Sequence, residues 1–345
     1  MGDRRRHADD LREAVRLVVR ATTGITDVAE EMHRHIASGP AVLGRPLALP
    51  TRILTGIGYG SVRGVTRLVG GTLDVVLDAL APLLGESAPG PERMAALAAL
   101  NGVLGDWLAE TGSPLAIPMQ LHRSGDGRRV LVMIHGSSMH HEHWRWRGHH
   151  HGEELAREQG WALASVHYNT GLPVLENGRL LAAALDELAD ADEIAILAHS
   201  MGGLVARAAC HAAEAEGRGW RGKLRTLVTL GTPHRGSPIE RGGNLVELLL
   251  PLTGYSAPLA KLARIRSVGV TDLRYGLDLD LPAGVRCHAV AAGKDVLVPV
   301  ASAHGAVPAG SCTTIPGIDH LQLLGSAEVY AVIRTALEER STLEP

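Results

Sequence analysis

Ser200 stands in a pattern that is typical of an activated nucleophile. Its neighbours over residues 198–203 read Ala-His-Ser-Met-Gly-Gly, after an apolar run at 194–197 and before a segment of helical composition. A serine at the tip of a tight strand–turn–helix needs small neighbours, because the turn packs closely against adjacent chain. Ala198 meets that demand where many such turns have glycine. A serine hydroxyl is a weak nucleophile, so a catalytic Ser200 requires a base, a group that orients the base, and donors for an oxyanion.

Two later segments supply candidates for the acid and the base. Asp295 directly follows a predicted strand over 285–291, at the sheet edge where open α/β sheets bind ligands. His320 follows the last predicted strand and precedes the last predicted helix. The chain order serine, acid, histidine is one of the orders in which such triads occur. We therefore predict a triad of Ser200, Asp295 and His320; the alternatives are Asp272, Asp278 and Asp280 for the acid and His304 for the base.

The oxyanion donors are expected to be backbone N–H groups. One would come from Met201, directly after the nucleophile. The other would come from the loop after the apolar strand 130–134, with Ser137 as the predicted residue and Ser138 as the alternative. We expect the substrate to lie against four residues of these two segments: His135, Gly136, Ser138 and His199.

Strands and helices that could position these residues alternate from about residue 114. We predict an edge strand at 115–121 and further strands at 130–134, 161–167, 193–198, 225–230, 285–291 and 311–315. We predict helices at 152–159, 176–190, 202–216 and 326–340. Continuous apolar strands that alternate with helices indicate an α/β fold with a mostly parallel, doubly wound sheet. The interval 234–284 is too long for a plain connection and is predicted to be a helical cap over the substrate site.

Residues 1–112 are predicted to form a separate N-terminal helical segment, with the catalytic domain at 113–345. An amphipathic pattern covers 8–36, and glycines at every fourth position within 51–84 predict a helical hairpin. The hairpin would pack on the main domain or on a second copy, or lie on a membrane surface as a peripheral contact. A further helix is predicted at 91–111.

Composition restricts the partners and the compartment. The chain has 345 residues and a net charge of −3, so no basic footprint indicates a nucleic-acid partner. Its charged N-terminus lacks an apolar secretory core, and three cysteines do not make a disulfide framework, so we expect a cytoplasmic protein. Cys287 and Cys312 each lie eight residues before a triad candidate and could bridge, although two buried thiols are the simpler expectation in that compartment.

Histidines concentrate in one segment of the chain. Seven of the 18 histidines fall between residues 135 and 151, without a cysteine among them. Such a tract can bind metal, but we interpret it as an adventitious or surface feature. Because a serine mechanism needs no metal, no metal site and no cofactor is predicted.

Residues from about 114 onward resemble α/β-hydrolase lipases and esterases, and most closely the bacterial group described as GPI inositol-deacylase-like or lipase-like. The resemblance rests on the His135-Gly136 loop, the Ser200 turn, the acid and histidine segments, and the stretches 146–149, 167–171, 230–237 and 271–276. It implies an α/β-hydrolase fold and hydrolysis of a carboxylic ester through an acyl-enzyme, with lipid or acyl esters as substrates. Acyl transfer or thioester hydrolysis by the same triad is the alternative, and a non-catalytic membrane scaffold is a third.

Overall fold

The chain divides into two compact units, residues 1–89 and 90–345. The computed structural model describes residues 90–110, 112–237, 267, 269 and 272–338. The unit that holds the sheet begins at Gly90, and the boundary of the catalytic domain at residue 113 stays a prediction. The predictions for 8–36 and 51–84 lie outside the described residues, as does most of the predicted cap, residues 238–266.

A seven-stranded sheet forms the centre of the second unit. Its strands are β1 (Gln120–Ser124), β2 (Arg129–Ile134), β3 (Ala162–His167), β4 (Glu193–His199), β5 (Leu224–Leu230), β6 (Arg286–Ala292) and β7 (Cys312–Ile315). Their spatial order is β1-β3-β2-β4-β5-β6-β7, with β1 antiparallel to β3 and every other pair parallel. The α-helices among the described residues are α1 (Pro91–Glu110), α2 (His151–Gln159), α3 (Val174–Ala184), α4 (Met201–Glu216), α5 (Val300–His304) and α6 (Ala327–Glu338). This is the α/β-hydrolase fold, as predicted.

The sheet is buried on both faces, which explains its continuous apolar strands. Along β2, Val130, Val132 and Ile134 belong to one hydrophobic cluster, whereas Leu131 and Met133 belong to the other. Successive side chains of a strand point to opposite faces, so each apolar strand supplies two cores at once. Because the strands carry apolar side chains on both faces, both faces of the sheet must be covered by helices.

The edge strand lies at Gln120–Ser124 rather than at the predicted 115–121. The side chain of Asn101 on α1 donates to the carbonyl of Leu115 at 2.8 Å and accepts the N–H of Ile117 at 2.9 Å. These backbone groups are therefore satisfied by a side chain, and pairing with β3 begins only at Gln120. The helix predicted at 176–190 is likewise split into α3 and a 3₁₀ turn, Leu185–Leu188.

Helix α1 packs on the loops that follow β2 and β3. A Cβ on Gly102 would lie 2.0 Å from Ser138 Oγ, and one on Gly105 would lie 1.8 Å from Asn169 Oδ1, so only glycine fits at either contact. Asn169 also donates to the carbonyl of Gly105 at 2.8 Å. Among the described residues no helix is both long and apolar enough to cross a membrane.

Candidate active site

Ser200 occupies a strained position between β4 and α4. Its backbone has φ 53° and ψ −125°, in the positive-φ region that L-residues rarely adopt. Strain of this kind costs about 1–3 kcal/mol and persists where surrounding contacts impose it. Here the Ser200 N–H donates to the carbonyl of Leu230 at 2.8 Å, which ties the turn to the end of β5. The serine therefore stands at the tip of a turn that the neighbouring strand holds in place.

Small residues around Ser200 allow the turn to pack closely. A Cβ on Gly202 would lie 2.4 Å from the carbonyl oxygen of Ile134, and one on Gly203 would lie 2.1 Å from Thr232 Oγ1. Helix α4 thus begins in direct contact with the residues that end β2 and follow β5. Ala198 is fully buried in β4.

Asp295 and His320 form a buried hydrogen-bonded pair. Asp295 Oδ2 lies 2.6 Å from His320 Nδ1, and the two side chains are only 1% and 4% exposed. The other carboxylate oxygen, Oδ1, accepts the N–H groups of Leu297 at 2.8 Å and Val298 at 2.9 Å. Because a carboxylate faces Nδ1, we assign the Nδ1–H tautomer, which leaves a lone pair on Nε2. That Nε2 is buried and has no hydrogen-bond partner among the described residues.

Neighbouring residues fix His320 beside the serine turn. His199, which immediately precedes Ser200, donates from Nε2 to the carbonyl of His320 at 3.1 Å, and the two ring centroids are 4.8 Å apart. Burial lowers the pKa of His199 well below its ordinary value, so this ring is neutral. Gly231 lies on the other side, where a Cβ would be 2.9 Å from His320 Nδ1. The structure thus brings the histidine, its carboxylate and the serine turn together.

The loop after β2 lies against Ser200. A Cβ on Gly136 would be 3.0 Å from the Cβ of Ser200. His135 Nδ1 lies 2.9 Å from the Gly136 carbonyl and Tyr168 donates to the His135 carbonyl at 2.8 Å. Because C=O and N–H point in opposite directions across a trans peptide, the bond from His135 also orients the N–H of Ser137. Burial lowers the pKa of His135 well below its ordinary value, which keeps this ring neutral too.

The structure distinguishes the two candidate donors of this loop. The N–H of Ser138 donates to Thr170 Oγ1 at 3.0 Å, so that amide is already engaged. Its side chain packs at Gly102 on α1. Ser137 follows Gly136, and its N–H therefore belongs to the peptide that lies beside Ser200. Of the residues predicted to line the substrate, His135, Gly136 and His199 surround the serine turn, whereas Ser138 points its side chain at helix α1.

The alternative acids and the alternative base lie elsewhere. Asp272 Oδ2 accepts the N–H of Val174 at 2.9 Å, at the start of α3. Asp278 and Asp280 line a cavity of about 500 Å³ together with Arg207. His304 Nε2 lies 3.4 Å from the carbonyl of Thr313 on β7. Sequence reasoning assigned no role to Thr170 or Tyr168, whose contacts with the loop after β2 cross more than thirty positions of chain.

The histidine tract is partly buried rather than wholly at the surface: three of its seven histidines are buried and four are partly exposed. His135 and His151 are fully buried and His140 nearly so. His149 and His151 share a hydrogen bond of 2.8 Å, and His151 Nε2 lies 2.9 Å from the carbonyl of Leu323. Burial lowers the pKa of His140 to about 2 and that of His151 to about 4. Across the part of the chain that the structure describes, no group of three or more histidine, cysteine or acidic side chains is placed to hold a metal ion.

The cysteines are free, so the bridge considered between Cys287 and Cys312 does not form. Cys287 Sγ lies 3.6 Å from the carbonyl of Val285 and Cys312 Sγ lies 3.4 Å from that of Val307. The strands pair with Ala289 opposite Cys312, so the two cysteines are out of register. Burial raises the pKa of Cys287 to about 11, which keeps this thiol protonated.

Comparisons with known proteins give one family and a set of distant structures. A family model described as "Domain of unknown function (DUF7379)" matches residues 93–273. No curated protein matches the chain. A Bacillus licheniformis lipase, BlEst2 in its mature form, is 16% identical with a TM-score of 0.47, over 63% of this chain and 98% of that one. A thermophilic esterase from Thermogutta terrifontis is 22% identical with a TM-score of 0.45, over 65% and 94%.

Proposed function

We propose that this chain, which belongs to the family described as Domain of unknown function (DUF7379), hydrolyses carboxylic esters with Ser200 as the nucleophile. The observation that carries the proposal is the buried Asp295–His320 pair, whose imidazole ring packs beside His199, the residue before the strained Ser200. The Nε2 of His320 has no hydrogen-bond partner among the described residues. Strain in the backbone of a non-glycine residue costs stability, so its presence at a serine beside an acid–base pair favours a catalytic role.

The geometry supports a two-step acyl-enzyme reaction. Ser200 Oγ attacks the ester carbonyl while His320 Nε2 takes its proton, and Asp295 stabilises the imidazolium that forms. The N–H groups of Ser137 and Met201 donate to the oxyanion, and the N-terminus of the 16-residue helix α4 adds a positive partial charge there. His320 then returns the proton to the leaving alcohol. Water then attacks the acyl-enzyme with the same help from His320, which releases the carboxylic acid and restores Ser200.

Lipid or acyl esters are the substrate class that we propose. Peripheral membrane contact through the N-terminal residues and a cytoplasmic location belong to the same proposal. Rates for p-nitrophenyl esters of increasing acyl length, with and without liposomes, would define the class. Transfer to added alcohols or thiols, compared with water, would separate hydrolysis from acyl transfer.

The nucleophile is tested by turnover and by labelling. The wild type should hydrolyse a p-nitrophenyl ester and react with a fluorophosphonate probe. Ser200→Ala should do neither, because alanine has no hydroxyl that could form the acyl-enzyme. Ser124→Ala is the matched control, since Ser124 is exposed at the end of β1. Equal activity of Ser200→Ala and the wild type would refute the assignment.

A further inference from the structure

Ser138 is held in a strained conformation at the end of the loop beside Ser200. Its φ is 57°, in the left-handed region that favours glycine. Both Ser138 and Thr170 are almost completely buried, so the Ser138 N–H needs a partner within the protein. Thr170 Oγ1 provides it at 3.0 Å. The hydroxyl is therefore the acceptor that satisfies this amide.

Thr170 itself stands on a turn that several side chains fix. Asn169 Oδ1 accepts the N–H of Gly171 at 3.0 Å, which closes the turn around Thr170. The side-chain amide of Asn169 donates to the backbone carbonyl of Gly105 on α1. The side-chain amide of Asn177 on α3 donates to the backbone carbonyl of Asn169 at 2.9 Å. Thr170 is thus anchored to two helices and cannot follow the loop if the loop shifts.

We propose that Thr170 is a positioning residue for the oxyanion donor, an inference that rests on the proposed function. Its Oγ1 engages the amide of Ser138 and keeps that residue at positive φ. The preceding peptide is held at its other end by the bond between His135 Nδ1 and the Gly136 carbonyl. With both ends fixed, the N–H of Ser137 is the amide of this loop that is presented beside Ser200. Thr170 acts through Ser138 and does not touch the reacting atoms.

The requirement is for a hydroxyl acceptor at position 170. Valine has nearly the shape of threonine but cannot accept a hydrogen bond, so Thr170→Val removes the anchor and keeps the volume. Thr170→Ser keeps the acceptor and loses only the methyl group. Comparison of the two variants separates positioning from packing.

The experiment measures kcat and KM for a p-nitrophenyl ester in the wild type and in both variants. Removal of an oxyanion donor lowers kcat by about 10²–10³-fold, and displacement of the donor should cost about 10–100-fold. We expect Thr170→Val to lower kcat by this amount with little change in KM, because the donor acts in the transition state. Thr170→Ser should retain most of the wild-type kcat. If Thr170→Val does not fold, Thr170→Ala removes the same acceptor without adding bulk.

Either of two kinetic results would overturn the proposal. One is an unchanged kcat in Thr170→Val; the other is an equal loss in Thr170→Ser and Thr170→Val, which would indicate packing alone. Amide hydrogen exchange of the peptide that contains Ser138 is read in parallel, and faster exchange is expected only in the variants without the hydroxyl. A wild type without turnover or probe labelling would refute the proposed function, whereas unchanged exchange in Thr170→Val would refute the anchor itself.

Discussion

Asp295→Asn changes one oxygen of the carboxylate to an NH₂ group and leaves the shape unchanged. The N–H groups of Leu297 and Val298 both point at Oδ1, so the remaining carbonyl oxygen of the new amide must stay there. The NH₂ group then faces His320 Nδ1 at the position where Oδ2 accepts a hydrogen bond in the wild type. Two donors cannot face each other, so His320 adopts the Nε2–H tautomer. That tautomer cannot take the proton of Ser200.

The expected loss in kcat is large. Holding the base in the wrong tautomer costs about 10⁴-fold in a serine protease triad, and this corresponds to about 5.5 kcal/mol of barrier. The cost in folding stability should be much smaller, about 1–3 kcal/mol, because only the charged hydrogen bond is weakened. Steady-state hydrolysis of a p-nitrophenyl ester measures the first quantity, and urea denaturation measures the second.

Asp319→Asn is the matched control for this substitution. Asp319 Oδ1 accepts the N–H groups of Leu321 at 3.0 Å and Gln322 at 2.9 Å, which is the arrangement at Asp295 without an imidazole partner. It lies on the surface beside His320, so its replacement should change stability by less than about 0.5 kcal/mol and leave kcat near the wild-type value. Retention of wild-type kcat by Asp295→Asn, or an equal loss in both variants, would refute the tautomer argument.

Two further predictions concern stability. Gly202→Ala should destabilise the fold by about 1–3 kcal/mol, because its Cβ would meet the backbone of Ile134. Gly222→Ala, whose Cβ meets nothing within 4 Å, should be near neutral; equal urea midpoints would contradict this. The folded-state pKa of His151 is about 4, below the unfolded value of about 6.5, so the unfolded chain binds more protons between these pH values. The free energy of unfolding should therefore fall from pH 6.5 to 4, by about 1.4 kcal/mol per pH unit for each such imidazole, and His151→Gln should reduce the slope.

Much of the sheet could be predicted because its signals are local. Strands buried on both faces need continuous apolar sequence, and a serine turn needs small residues on either side, so β2 and β4–β7 and the turn at Ser200 lie where the patterns indicated. Asp295 and His320 follow two such strands, and the structure brings their side chains together. The edge strand was misplaced because Asn101, on a helix, takes the hydrogen bonds that a strand would have made.

The sequence by itself determined the residues of the proposed triad and the strands and turns that carry them, since both can be recognised from neighbours along the chain. Tertiary structure decided which groups are engaged. It placed α1 against the loop beside Ser200 and buried His135, His140 and His151 of the histidine tract. It also brought the hydroxyl of Thr170 to the N–H of Ser138, 32 positions away. A backbone amide carries no sequence signature, and whether it is free to bind an oxyanion depends on which acceptor the folded chain brings to it. The proposal of Ser137 rather than Ser138 as the donor therefore rests on a contact that only the folded chain contains.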